Sequence, residues 1–182
     1  MDNTNMIHKF EKAGLGKAPF KFVLVQSLPS KALLEHNPEA YNNVLRSLVK
    51  SSSGAVGGCC DYCGMPITEC YLIKSSDGNT FFVGCECVNK TGDAGLIKIA
   101  NEAKNKLIKA KRHAKEEAEH EEIKTLLHDK ANRDYFDTLP HPKGFSGKTF
   151  MDYVNWMYDN SGATGRGKLL KTIKDALAEK GE

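Results

Sequence analysis

The first regular pattern in the chain is PFKFVLVQSL, residues 19–28, a β-branched and aromatic run of the kind that forms a strand. HNPEAYNNVLRSLVK then switches to helical spacing, with Tyr41, Val44, Leu45 and Leu48 recurring along one face. Asn37 is a good N-cap for this helix, and Pro38 stands at the first helical position, where its missing N–H costs nothing. SSSGAVGG (51–58) reads as a Ser/Gly linker. ITECYLIK and NTFFVG predict two more strands, joined by SSDGN, whose Asp-Gly pair tolerates the positive φ of a hairpin turn. Residues 94–130 predict one long charged helix. On it Leu96, Ala100, Ala103, Leu107, Ala110 and Ala114 alternate steps of four and three, making a narrow seam suited to close packing against another helix. PHPKGFSG breaks the chain, and two short amphipathic helices follow. Phe150, Tyr153, Val154 and Met157 share a face of the first, and Leu169, Leu170, Ile173, Ala176 and Leu177 a face of the second, with NSGATGRG as the turn between them.

These elements predict an α+β fold in four segments: a strand, helix and linker (1–58), a cysteine-bearing hairpin module (59–93), a long charged helix (94–138) and a C-terminal helical hairpin (139–182). A hydrophobic content of 40% supports a modest core. No apolar run approaches the ~20 residues needed to cross a bilayer. MDNTNMIHKF lacks the basic-then-apolar pattern of a signal peptide, so a soluble, cytoplasmic protein with no membrane partner is expected.

The cysteines alter the picture most. All six lie between Cys59 and Cys87. In a reducing compartment such clustering points to metal before disulfides. Cys60 and Cys63 form C-x2-C followed by Gly64, a knuckle that aims two thiolates at one ion. Cys85-x-Cys87 follows the predicted hairpin. Four thiolates in tetrahedral array are what structural Zn²⁺ requires, and knuckle, hairpin and helix entrance in that order predict a treble-clef-like module. A zinc ribbon is the nearest alternative but ends its second pair on a strand, and an iron–sulfur cluster can use the same thiols. The place of Cys85 can also be filled by Cys70, Cys59 or a histidine. Cys59 is one residue out of register for the knuckle, and Cys70, within a strand, reads as a small buried hydrophobe. A site closed by protein ligands holds a fold together and does not catalyse.

FEKAGLGKAPFKFV, CDYCGMPI, the Asp-Gly turn and FFVGCECVNKTGD together resemble a set of small bacteriophage-encoded zinc-finger proteins with a GLGxAPF element and a CxxCG…VGxxC core. The resemblance covers roughly residues 8–95. It implies a phage protein acting in a bacterial cytoplasm, with Cys87 as a ligand and a position 85 that is often not cysteine; it supplies no activity.

Net charge is only +3, which does not by itself mark a nucleic-acid binder. Its distribution says more. From Lys98 to Lys115 the long helix carries Lys98, Lys104, Lys106, Lys109, Lys111, Arg112 and Lys115 against Glu102 alone, and the following turns are acidic. With Arg166, Lys168, Lys171 and Lys174 near the C-terminal helix, these side chains suit phosphate contacts on DNA or RNA. Trp156 lies off the apolar face of its helix, where it can stack on an unpaired base or seat in a protein interface. GATGRGK matches the G-x4-G-K spacing of a phosphate loop, but Leu169 replaces the required Ser or Thr and no buried strand precedes it. GFSGKT has the threonine but Pro142 in place of the first glycine; both read as helix punctuation. His113 and His120, seven apart, are too distant for a chelating i,i+4 pair. The expected function is therefore non-enzymatic: nucleic-acid binding by a zinc-shaped protein, or else docking on a host or phage protein through the alanine seam or Trp156. A nuclease or other metalloenzyme is the third reading, without a recognisable acid/base set.

Overall fold

A computed structural model describes residues 7–180. It is α+β and divides into two compact units, one up to Ile108 and one from Lys109. The strand-and-linker and hairpin segments therefore share one body.

In the first unit, β1 (Lys21–Ser27), β2 (Glu69–Lys74) and β3 (Thr80–Val83) form an antiparallel sheet in the order β1-β2-β3. The hairpin turn is where SSDGN predicts it, with Ser75 N–H donating to Asn79 O and Gly78 at φ 91°. As the central strand, β2 is covered on both faces, which is why ECYLIK is a nearly continuous apolar run. Tyr71 and Ile73 join Phe10, Phe20, Phe81, Val83 and Val88 on one side, while Cys70, Leu72 and Phe82 pack on the other.

Around this sheet stand α1 (Lys9–Lys12), α2 (Lys31–His36), α3 (Pro38–Ser47) and α4 (Cys85–Asn89). Asn37 caps α3 as expected, its Oδ1 accepting from Ala40 N at 2.9 Å. The apolar face of α3 is less covered than its periodicity predicts: Tyr41, Leu45 and Leu48 are half-buried and Val44 is exposed. Residues 51–58 are hydrogen-bonded to the sheet. The Gln26 amide donates to Val49 O (3.0 Å) and Val56 O (2.8 Å), Ser52 N–H donates to Thr80 O, and Ser51 is buried. The sheet thereby satisfies backbone groups that a Ser/Gly composition alone would leave to water.

The long helix α5 runs Ala94–His128. Its seam is buried only at the start, at Leu96 and Ala100; Ala103 and Leu107 are half-buried, and Ala110 and Ala114 are exposed. Burial resumes at Ile123 in the second unit, which is built from the end of α5 with α6 (Lys130–Thr138), α7 (Phe150–Asn160) and α8 (Ala163–Lys180). The predicted faces of α7 and α8 meet here: Phe150, Val154, Leu169, Leu170, Ile173 and Ala176 are buried with Ile123 and Phe136. Thr149 caps α7 in a reciprocal capping box with Asp152. Helix α8 begins inside the expected turn. Gly165 and Gly167 are helical, and a Cβ at Gly167 would stand 3.1 Å from the Glu119 carboxylate, so a larger residue there would displace that side chain by a few tenths of an ångström. Among the described residues no helix is long and apolar enough to cross a membrane.

Candidate metal centre and basic surfaces

Three thiols converge at one end of the sheet. The turn that carries Cys60 and Cys63 is closed by Cys60 N–H to Met65 O (2.9 Å) and Gly64 N–H to Cys60 O (2.7 Å). Gly64 sits at φ 74°, a backbone conformation costly for a residue with a Cβ. Asp61 ties this knuckle to the sheet: its N–H donates to Phe82 O (2.8 Å), and its Oδ2 accepts from Phe82 N–H (2.6 Å). Tyr62 packs edge-on against Phe10. The third thiol follows directly from β3. Gly84 starts α4, and Cys87 N–H donates to Gly84 O within its first turn.

The Sγ atoms of Cys60, Cys63 and Cys87 lie within 4.8 Å of one another, and those of Cys63 and Cys87 are 3.4 Å apart. A tetrahedral ion with metal–sulfur bonds of about 2.3 Å separates its sulfurs by about 3.8 Å, so the trio could hold one thiolate-bound metal with sulfur–sulfur shifts of up to about 1 Å. Among the described residues it is the one group of three or more His, Cys, Asp or Glu side chains so placed.

Cys85 is not in the trio. Residues two apart on a helix point about 200° from each other, so Cys87 faces the knuckle while Cys85 faces Asn101 and Asn89, at 3.9 and 3.8 Å. It also adjoins the buried Tyr71 hydroxyl, and burial together with this thiol pushes the phenol strongly upward. Cys59 is exposed, on extended backbone that turns it away from Cys60. Cys70 is the buried hydrophobe its strand position predicts, its thiol raised by burial. All six cysteines are free thiols.

The electrostatics of the trio favour a cation. The Met65 N–H and then the neighbouring thiols draw the Cys63 sulfur toward the thiolate. Burial first, and then the hydrogen bonds to the other two sulfurs, push Cys87 up to about 12. Crowded sulfurs cannot all ionise without a compensating charge, and a bound ion supplies it while displacing their protons.

The basic residues differ in their surroundings. Lys106, Lys109 and Lys111 are exposed, and Lys104 is half-buried. Arg112 is paired with Glu116 at 3.4 Å and Lys115 with Glu119 at 3.8 Å, so the acidic turns neutralise part of the basic ones. Lys106 and Lys109 have no ion-pair partner among the described residues. Lys168 and Lys171 face solvent from α8, whereas Lys174 is bound to Glu122 at 2.6 Å. Arg166 departs from the expectation: it is half-buried in a small cleft with Glu116, Glu117 and His120, where acidic side chains and not phosphates surround it. Trp156 is 56% exposed, as its off-face position predicts.

No family model matches the chain, and no curated protein or solved structure does.

Proposed function

We propose that this chain is a non-enzymatic zinc-binding protein that uses a treble-clef-like module to brace its sheet and basic helical surfaces to bind nucleic acid. The convergence of Cys60, Cys63 and Cys87 carries the reading. Knuckle, hairpin and helix start deliver one thiolate set, and the ion supplies the charge that lets three crowded sulfurs ionise together. An all-thiolate group favours zinc over a hard cation. The resemblance to small bacteriophage zinc-finger proteins points the same way and suggests a bacterial cytoplasm as the setting.

The nucleic-acid part rests on lysines that face water without acidic partners, Lys106 and Lys109 on α5, and on Lys168 and Lys171 on α8. Each such contact releases counterions, so binding of labelled DNA or RNA, read by fluorescence anisotropy, should weaken steeply with salt. Charge reversal at Lys109 and Lys171 together should weaken binding to all sequences alike and flatten the salt slope by about two. Salt-independent binding, or none at low salt, refutes it. A second reading, docking on a protein through mid-α5, is favoured by the exposure of Ala110 and Ala114 on one face of that helix. An Ala110→Glu variant that loses a captured protein partner, with nucleic-acid binding absent throughout, would select it.

A further inference from the structure

We propose that the cleft between α7 and the loop before it holds an unpaired base of single-stranded nucleic acid, stacked against Trp156 and Phe145 with its phosphate at Lys143 and Lys148. The proposal rests on the nucleic-acid reading above and specifies the strand type and the place.

The cleft encloses about 500 Å³, within the roughly 300–1,000 Å³ usual for small-ligand sites. Two of the largest apolar side chains on it face water, Phe145 at 58% and Trp156 at 56% exposure. Single exposed aromatics are ordinary, but two on one cleft beside two lysines are the combination by which proteins hold single strands. Lys143 Nζ already stands 5.8 Å from the centre of the Trp156 ring, so a cation and a π-face are held together where a base and its phosphate would arrive.

The loop is braced from beneath. Pro140 and Thr149 form a bridge, His141 N–H donates to Lys148 O, and Gly144 N–H donates to His141 O. His141 is buried, meets Phe145 edge-on at 4.8 Å and Tyr153 at 5.5 Å, and accepts from Lys143 N–H at Nδ1. Phe145 is therefore presented on a supported ring, which lowers the ordering cost of binding. Asp152 also lines the cleft and its carboxylate accepts from Thr149 N–H at 2.9 Å in the capping box, so two lysines stand against one carboxylate there and the balance is positive. An unpaired strand is specified because only unpaired bases offer a face to stack. A duplex presents phosphates, which have no use for Trp156 or Phe145.

Trp156 is the single tryptophan of the chain, so its emission reports on this cleft alone. The full-length zinc-loaded protein is titrated with short oligo(dT), oligo(U), a duplex of equal length and free thymidine monophosphate, following emission and, in parallel, anisotropy of labelled strands. Single strands are expected to quench Trp156, and the duplex to leave it unchanged. Phe145→Ala should weaken oligo(dT) binding roughly 5- to 100-fold. Trp156→Ala, at an exposed position and read by anisotropy, should do the same and guards against a misfolded Phe145 variant. Single-strand binding with unchanged emission and wild-type affinity in Trp156→Ala would overturn the site while leaving the nucleic-acid reading intact. Equal quenching by the duplex, or by the free nucleotide at the same affinity as the strand, would also overturn it. Absence of any anisotropy change at low salt would remove the nucleic-acid reading and this proposal with it.

Discussion

Phe10 gives the sharpest test of how the metal module is built. It is fully buried, and its ring meets Phe20, Tyr62 and Phe81 edge-on at 5.6, 5.4 and 5.3 Å. It thus joins the N-terminal segment to the knuckle and to β3 at once. Phe→Ala in a core costs about 3–5 kcal/mol, and aromatic pairs add about 0.5–1.5 kcal/mol each beyond area, which places Phe10→Ala at the upper end, about 4–5 kcal/mol. With a urea dependence near 2 kcal/mol per molar, the unfolding midpoint should fall by about 2 M. The transition is followed by far-UV circular dichroism, because Trp156 lies in the other unit. Tyr62 sits between the two knuckle ligands, so the variant should also bind zinc more weakly, and excess zinc should restore part of the lost stability by mass action. A midpoint shift worth less than about 1 kcal/mol would refute the packing of this segment against the knuckle.

Gly57→Ala places a Cβ 2.4 Å from the buried Cys70 sulfur at a residue with φ 104°; backbone strain and overpacking together predict a loss of about 2–5 kcal/mol in chemical denaturation. The pH dependence has opposite signs with and without metal. A Cys87 thiol raised to about 12 favours the folded apo form below the ordinary thiol pKa, and that contribution is lost as pH rises from about 9 toward 12. Zinc must displace the same proton, so its affinity should increase about tenfold or more per pH unit through the neutral range, measured by competition with a chelating dye.

The strands, the Asn37 cap, the hairpin turn and the apolar faces of α7 and α8 were legible because each rests on local chemistry: β-branched runs, a side-chain acceptor, an Asp-Gly pair, helical periodicity. The knuckle was legible for the same reason. What the pattern missed depends on tertiary contacts. FEKAGLG reads as irregular, yet Phe10 closes the core. SSSGAVGG reads as a linker, yet Gln26, which precedes it in the strand β1, donates across the fold to Val56 O within it and to Val49 O just before it. GATGRG reads as a turn, yet Glu119 meets the helix at Gly167. The C-x-C pair left the place of Cys85 open to other residues, and what sets it apart from Cys87 is the helix beginning at residue 85, which turns two neighbouring thiols to opposite sides. Arg166 counted as a basic surface residue until α8 laid it beside Glu116 and Glu117.

The measurement that bears most directly on the account is the zinc content of the full chain and of two serine variants by native mass spectrometry. Wild type and Cys85→Ser should each carry one zinc, and Cys87→Ser should lose it. A metal-free wild type, or loss of zinc on changing Cys85 with retention on changing Cys87, would contradict the assignment of Cys60, Cys63 and Cys87 as the centre.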